Sequence, residues 1–473
     1  MGMILKRIVS CLIVVCLTAA MLAGLTNLTE SKSSLEKYTQ FFDQKADFDV
    51  LFMGSSKVIN AILPMELWND YGIVSYNMGG HANTIPTSYW VLRNALDYTT
   101  PKCVVFDCMG TAMTMRISNH FDYSHLSFDA FPLSPTKIQA VFDLVDPEEW
   151  EYPMIQRMEL LWNFSIYHSR WTSLGREDFH PSFTHQKGAE PRINVSVPHE
   201  MASVSPDAKF SPDSLGIEYL IKAIELCQER DIEILLILVP YPGTEGDLMA
   251  ANTVTDIAEK YGVEYINFFN MDVVNYQTDM HDPDSHLNPS GARKITDYLG
   301  RILSQQYGIP NQRENADYQS WHDDAEKYHM EKIRQFEDTT SVWNYWMLLS
   351  DDDFSFLAKI SEQDLQQDNT LADLLRNAGV QPENVQGTCI IAADRSSGTV
   401  EYIPYETLLH GTVETALGSL SMDGSTVKLD ALECWQEQES QSNSLSFALL
   451  NTDRTLVGTA CFSPDAIRPQ ESD

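Results

Sequence analysis

The stretch "FDVLFMGSSKVIN", residues 48–60, contains two adjacent serines after an apolar run, and it is the strongest indication of the fold. A mostly apolar run ends at Gly54, two serines follow, and apolar sequence then resumes. Such a run predicts a strand buried on both faces of a parallel sheet. The serines then predict a turn into a helix, with a hydroxyl at the carboxyl end of the strand.

The same pattern of an apolar run with a glycine or proline at its end recurs along the chain. Further strands are predicted in four stretches: 72–80 (GIVSYNMGG), 102–110 (KCVVFDCMG), 231–240 (DIEILLILVP) and 263–268 (VEYINF). Helical patterns fill the intervals, with Ser211-Pro212 and Asn288-Pro289 as N-cap and first-turn signals. This alternation predicts an α/β domain whose parallel sheet carries helices on both sides.

The N-terminus indicates where the protein resides. Lys6 and Arg7 precede an uncharged apolar stretch, residues 8–25, which is just long enough to cross a bilayer as a helix. We interpret residues 1–25 as a membrane anchor with its short end in the cytoplasm; a cleaved signal peptide is the alternative. Both leave the remainder extracytoplasmic: a cell-surface domain if anchored, a secreted protein if cleaved. Residues 26–46 are interpreted as a polar stalk.

With 473 residues, the chain is expected to form two domains. The first is predicted over 47–310. It contains a stretch rich in Trp, His, Phe and Pro, residues 122–208, that we interpret as a helical insertion over the sheet's edge and a candidate lid. Residues 311–473 predict a smaller α+β domain with several short strands, and "NTDRT" (451–455) predicts a hairpin turn between two of them.

The formal net charge is -35 and the isoelectric point about 4.5. So acidic a surface repels nucleic acid and anionic lipid headgroups, and we expect neither as a partner. His120, His125 and His168 match no compact metal site, so neither a metal nor another cofactor is expected.

Three polar segments are expected at the carboxyl edge of the sheet, where ligands bind in open α/β folds. These are Gly54-Ser55-Ser56, "NMGG" (77–80) and "HDPDSHLNPSGA" (281–292). A serine hydroxyl becomes a nucleophile when an imidazole takes its proton and a carboxylate orients that imidazole. Each segment alone is more often a cap or a turn, but their order and placement together favour a catalytic set.

These residues resemble the SGNH (GDSL-type) hydrolase superfamily over roughly 47–308. Ser56 stands at the nucleophile position, with Ser55 in place of the family's aspartate; "YNMGGHANT" matches the second block and the segment around His286 the final one. The chain looks most similar to the membrane-anchored branch that accompanies cell-surface acyl transfer, including D-alanylation and alginate-acetylation proteins. The resemblance implies a flavodoxin-like, three-layer α/β/α fold.

The chain departs from the family's pattern at three places. The aspartate expected three residues before His286 is Pro283; Asp282 and Asp284 flank it, and we favour Asp284 because it is nearer. The backbone N–H groups of Ser56 and of Ala82, which aligns with the second-block glycine, are expected to hold the oxyanion. The third-block asparagine is not evident in "DCMGTAM" (107–113), and Asn83 is the candidate replacement.

The resemblance implies an extracytoplasmic serine esterase or O-acyltransferase acting on acyl esters of cell-surface glycans. A membrane-bound O-acyltransferase is then a possible partner. The alternative is a catalytically inactive SGNH scaffold that binds polysaccharide or such a partner. We favour an active enzyme.

Overall fold

The computed structural model describes residues 2–30, 32–44, 46–180, 184–198, 201–211, 213–437 and 445–463. The helices up to the end of the first domain are α1 (Gly2–Thr29), α2 (Lys32–Asp43), α3 (Ser56–Ala61), α4 (Pro64–Tyr71), α5 (Ile85–Ala95), α6 (Asp122–Phe128), α7 (Pro135–Leu144), α8 (Pro153–Leu161), α9 (Phe164–Tyr167), α10 (Arg176–Phe179), α11 (Leu215–Glu229), α12 (Glu245–Tyr261) and α13 (Pro289–Gln305). The strands of this part are β1 (Val50–Met53), β2 (Ser75–Asn77), β3 (Cys103–Asp107), β4 (Glu233–Leu238) and β5 (Glu264–Asn267).

These five strands form one parallel sheet in the order β2-β1-β3-β4-β5. Alternate side chains of each strand point to opposite faces, so that Val50 and Phe52 join one buried cluster while Leu51 and Met53 join the other. Helices α3, α4 and α13 pack on the first face, and α5, α11 and α12 on the second. The predicted α/β domain with a parallel sheet is therefore confirmed.

The N-terminal helix α1 contains one segment, Ile4–Thr29, that is long and apolar enough to cross a membrane. The predicted stalk that follows is wrong. Residues 32–43 form α2, and its Tyr38 and Phe41 are buried in the core of the sheet domain. A helix whose aromatic side chains repeat every three residues packs on a domain instead of extending from it.

The insertion between β3 and α11 begins with the five helices α6–α10, and residues 184–198 and 201–211 after them are irregular. The first of these segments returns to the carboxyl edge of the sheet, where Glu190 N–H donates to Ile59 O at 2.9 Å and Ser196 N–H to Met280 O at 2.9 Å. The insertion therefore contacts the edge that carries the three polar segments. Its role as a lid stays a prediction.

The C-terminal part combines helices with two antiparallel sheets. Its helices are α14 (Ser320–Asp338), α15 (Val342–Leu348), α16 (Glu362–Gln367), α17 (Asn369–Asn377) and α18 (Tyr405–Leu408). Its strands are β6 (Phe354–Ser361), β7 (Thr388–Asp394), β8 (Thr399–Pro404), β9 (Val413–Thr415), β10 (Gly418–Asp423), β11 (Thr426–Leu429), β12 (Leu432–Gln436), β13 (Leu445–Asn451) and β14 (Leu456–Phe462).

The two sheets have the orders β14-β13-β6-β7-β8 and β12-β11-β10-β9, and the predicted hairpin joins β13 to β14. A buried cluster with members from both sheets lies between them, and α15 and α17 cover the other face of the larger one. Trp321 and Tyr328 of α14 are buried in the core of the first domain, so the two parts share this helix.

Candidate active site

The turn after β1 presents Ser56 as the first residue of α3. Ser55 is the N-cap: its Oγ accepts from Lys57 N–H at 3.3 Å, and its carbonyl accepts from Val58 N–H at 3.1 Å. The hydroxyl of Ser55 is therefore engaged in capping, and that of Ser56 is left for the site. At position N1, the Ser56 N–H has no acceptor within its own helix.

Gly54 is required in this turn because the chain approaches its neighbours closely. A Cβ at this position would lie 2.5 Å from Val58 Cγ2 and 2.8 Å from Asp107 Cβ. Any side chain would push α3 away from β3 and move Ser56.

The structure brings Ser56 and His286 together, although 230 residues separate them in the chain. Ser56 Oγ lies 2.8 Å from His286 Nε2, and His286 Nδ1 lies 2.5 Å from Asp282 Oδ2. Since Nδ1 faces a carboxylate, it carries the proton, and the unprotonated Nε2 faces the hydroxyl. The side chains of His286 and Asp282 are 18% and 31% exposed, so a substrate can reach them from solvent.

The carboxylate beside the imidazole is that of Asp282, and the preference for Asp284 is wrong. Asp282 Oδ1 accepts from the backbone N–H groups of Asp284 (3.1 Å), Ser285 (2.7 Å) and His286 (3.3 Å). The loop therefore folds around Asp282 and turns Oδ2 towards the ring, while Asp284 lies exposed. Distance along the chain does not decide which aspartate pairs with His286, because the backbone N–H groups of the loop hold the Asp282 carboxylate in place.

The same contacts keep Asp282 ionised. Partial burial raises its pKa, but the hydrogen bonds from His286 and from the loop N–H groups lower it more, and the net pKa lies below the usual range. An ionised carboxylate at this position stabilises the imidazolium that forms when His286 takes a proton.

The second-block loop, residues 76–84, lies against the turn of residues 54–56. Gly80 N–H donates to Gly54 O at 3.0 Å, and Asn83 N–H donates to Gly80 O at 3.2 Å. Between them Ala82 has φ +52°, a left-handed conformation that favours glycine. The loop thus makes a left-handed turn with an alanine at this position.

The side chain of Asn83 supplies an unused amide donor in this loop. Its Oδ1 accepts from Ser127 Oγ at 2.8 Å, and within the described part of the chain its Nδ2 is buried without a hydrogen-bond partner. A Cβ on Gly80 would lie 2.3 Å from that Nδ2. Asn83 is therefore fixed within the second-block loop, with its buried Nδ2 against Gly80. Its role as an oxyanion donor stays a prediction.

Asn77, which the sequence places in the second block, has a structural role. Its Nδ2 donates to Val58 O (2.8 Å) and Ile62 O (2.9 Å), and its Oδ1 accepts from Gly79 N–H (3.1 Å). This buried amide fastens the end of β2 to α3, which positions the second-block loop beside Ser56.

Sequence reasoning missed Lys57, the residue after the proposed nucleophile. Its side chain is buried; the ammonium lies 4.0 Å from the centre of the Tyr241 ring and 3.4 Å from Ser285 O. Burial lowers the pKa of Lys57, and nearby carboxylates, Asp107 first, oppose this. Lys57 therefore connects α3 to the loop of His286. A lysine among apolar residues directly after the serine was the available signal.

A cavity of about 450 Å³ borders the second-block loop instead of Ser56 itself. Gly80 and His81 line one side, and Lys37 and Glu190 line the other. His81 Nε2 lies 2.9 Å from Glu190 Oε2, and Lys37 Nζ donates to Gly79 O. In the described residues, no three His, Cys, Asp or Glu side chains cluster closely enough to hold a metal ion.

Comparison with known proteins finds only distant likeness, to solved structures. No protein-family model and no curated protein matches the chain. A crystal structure from Bacteroides fragilis, provisionally assigned as an acylhydrolase, is 9% identical; the match covers 59% of this chain and 99% of that chain, with a TM-score of 0.29. So low a TM-score supports no transfer of function to this chain.

Proposed function

We propose that the chain is a serine enzyme of SGNH type that cleaves acyl esters, with Ser56 as nucleophile, His286 as general base and Asp282 as its orienting carboxylate. One observation carries the proposal. The contacts Ser56 Oγ–His286 Nε2 (2.8 Å) and His286 Nδ1–Asp282 Oδ2 (2.5 Å) form an unbroken series at the carboxyl edge of a parallel sheet. Chemistry in open α/β folds is found at this edge.

In the first half-reaction, Ser56 Oγ attacks the carbonyl carbon of an ester or thioester, and its proton passes to His286 Nε2. The negative charge that develops on the carbonyl oxygen is held by N–H donors of Ser56, Ala82 and the Asn83 amide. The bond to the leaving group then breaks, His286 returns the proton to the leaving oxygen or sulfur, and the acyl group remains on Ser56.

In the second half-reaction, a hydroxyl compound gives its proton to His286 as its oxygen attacks the acyl-enzyme. The Ser56–acyl bond breaks, and the proton returns to Ser56 Oγ. Water as the attacking compound gives an esterase, and a sugar hydroxyl gives an O-acyltransferase.

We further propose that the substrate is an acyl ester of a cell-surface glycan, that a membrane-bound O-acyltransferase is a partner, and that α1 is retained as an anchor. What supports retention is how the end of α1 is held. Arg170 Nη1 donates to the carbonyls of Thr29 (2.7 Å) and Glu30 (2.5 Å), and Asn163 Nδ2 donates to Glu30 Oε1 at 2.5 Å. Within the apolar stretch itself, Ala19, Leu22 and Ala23 line a groove together with Leu133 and Trp162 of the insertion, and cleavage after this stretch would remove that contact.

A fluorophosphonate probe tests the enzymatic proposal, since it reacts covalently with an activated serine. We expect the full chain to be labelled at Ser56 and the Ser56→Ala variant to be unlabelled. Ser55→Ala is the matched control: it removes a cap worth about 1 kcal/mol but leaves the Ser56–His286 contact in place, so labelling should persist.

Absence of labelling at Ser56 in the folded parent protein would instead support the inactive scaffold. The observation that favours this second candidate is the third block, where residues 107–113 at the end of β3 contain no asparagine to hold an oxyanion. Polysaccharide binding by a Ser56→Ala protein at the affinity of the parent would then be expected.

A further inference from the structure

The insertion exposes an unusual number of large apolar side chains. Ile155 and Trp171 are 54% and 70% exposed, and most of the large apolar side chains exposed outside α1 belong to residues 123–179. We define the apolar insertion face by six of them: Leu133, Met154, Ile155, Trp162, Trp171 and Phe179. Soluble surfaces seldom expose so many large apolar groups together, which points to an interaction surface.

This face is continuous with the N-terminal helix. Helix α1 packs against α9, α10 and the 3₁₀ turn His168–Thr172, the elements that carry or adjoin the exposed tryptophans. The Arg170 contacts to the carbonyls of Thr29 and Glu30 fix the end of α1 at this place. Helix α1 therefore leaves the folded domain from the apolar insertion face.

The position along α1 at which the insertion contacts it indicates what covers this face. Ala19 and Leu22 of α1 line a groove of about 760 Å³ together with Leu133 and Trp162 of the insertion; the charged residues Glu30, Asp129 and Lys137 also line it. At about 1.5 Å per residue, Ala19 is about 9 Å inside the end of the apolar stretch at Leu25. When α1 spans a bilayer, the neighbours of Ala19 at that depth are lipid chains near the headgroup boundary.

The chemistry of the face suits that boundary. Tryptophan and tyrosine favour the membrane interface, where an apolar ring meets a polar edge. Residues 152–171, which contain four of the six side chains that define the face, carry three charged side chains, Arg157, Glu159 and Arg170, in a chain of net charge -35. Overall negative charge disfavours anionic lipid, so a zwitterionic lipid surface is the matching one.

We propose that the apolar insertion face is a second membrane contact, seated in the interfacial zone of the bilayer that α1 crosses. The occupant is lipid, and the contact fixes the height and tilt of the sheet domain above the membrane. This inference rests on retention of α1 as an anchor and is independent of the chemistry of Ser56.

Spin labels on the full chain in phosphatidylcholine vesicles test the proposal. The exposed cysteines Cys11, Cys16 and Cys461 are changed to Ser, and one new cysteine at a time is introduced at Ile155 or Trp171. Val15→Cys in α1 is the lipid reference. Leu409→Cys, at 57% exposure in the C-terminal domain, is the matched aqueous control. Collision rates are measured with oxygen, which partitions into lipid, and with a water-soluble nickel chelate.

We expect labels at residues 155 and 171 to resemble that at 15, with collisions dominated by oxygen, and the label at 409 to collide mainly with nickel. Labels at 155 and 171 that behave like that at 409, while that at 15 is shielded, would overturn the proposal and indicate a protein partner for the face. If the label at 15 is exposed to water, α1 does not span the bilayer, and the proposal that rests on its retention is refuted.

A charged variant separates this inference from the enzymatic one. In the 171-labelled protein, Met154→Glu combined with Ile155→Glu alters only exposed side chains and should restore nickel collisions at 171. Fluorophosphonate labelling of Ser56 in detergent should be unchanged. An unaltered oxygen preference at 171 would count against lipid contact whether or not Ser56 reacts.

Discussion

Exchanging Asp282 for asparagine should nearly abolish acylation of Ser56, whereas Asp284→Asn should leave it within about twofold. In the parent, Asp282 Oδ1 accepts three backbone N–H groups while Oδ2 accepts from His286 Nδ1. An asparagine amide oxygen can keep the three backbone bonds, which turns its NH₂ towards Nδ1. Two donors cannot pair, so the imidazole moves its proton to Nε2 and can no longer accept that of Ser56.

The expected loss is about 10³–10⁴-fold in the rate of acylation, or about 4–5.5 kcal/mol in the barrier. The assay is the second-order rate constant for fluorophosphonate labelling, with hydrolysis of a p-nitrophenyl ester as the turnover measurement. Thermal melts of both variants check that the loop stays folded. Equal losses in the two variants, or a loss confined to Asp284→Asn, would refute the assignment of the orienting carboxylate.

Two further changes test the surroundings of the site. Burial raises the pKa of Asp107 from 3.8 to about 7. Between about pH 4 and 7 the Asp107 carboxyl therefore keeps its proton in the folded state, while the unfolded chain releases it. This difference contributes about 4 kcal/mol of stability, which is present below pH 4 and is lost as pH rises through 7. In urea titrations, Asp107→Asn should therefore gain free energy of unfolding relative to the parent at pH 8 and change little at pH 4. Gly80→Ala places a Cβ 2.3 Å from Asn83 Nδ2 and should cost about 1–3 kcal/mol of stability and slow labelling of Ser56, whereas Gly411→Ala, with nothing within 4 Å, should do neither.

The outcomes that contradict these predictions are specific. If the difference in stability between Asp107→Asn and the parent is the same at both pH values, Asp107 does not hold a proton in the folded state. If Gly80→Ala labels at the parental rate, the second-block loop does not control the environment of Ser56.

The sheet domain was predictable because its strands are buried on both faces. The run before Gly54 is apolar throughout its strand, and the run before Gly110 is apolar up to Asp107, the last residue of its strand; no helix or edge strand requires such a pattern. The Asn288-Pro289 signal was also sufficient, since Asn288 Oδ1 accepts from the N–H groups of Ser290 and Gly291 at the start of α13. A cap is a local interaction, and local sequence specifies it.

Features that depend on tertiary contacts are harder to predict from the sequence. The Ser211-Pro212 signal did not mark the start of α11, which begins at Leu215 with Ser214 as its N-cap, and Pro212 lies outside the described residues. The short strands β9–β12 carry few apolar residues, and their sheet forms because one face packs on the larger sheet. Sequence distance favours Asp284, whereas the advantage of Asp282 is three loop N–H groups that only the folded loop presents.

The packing of α2 limits how far the reactive edge can travel. A flexible stalk of about 20 residues would let the serine range over about 25 Å. Instead, Tyr76 OH donates to Lys37 O, and the Lys37 ammonium donates to Gly79 O, so the short helix that follows α1 is bound to the second-block loop. If α1 is retained in the bilayer and Ser56 is the nucleophile, as we propose, the serine stands at one fixed height above the membrane. An acceptor sugar deep in the cell envelope would then be out of range, and only polymer or carrier held near the lipid surface would be modified.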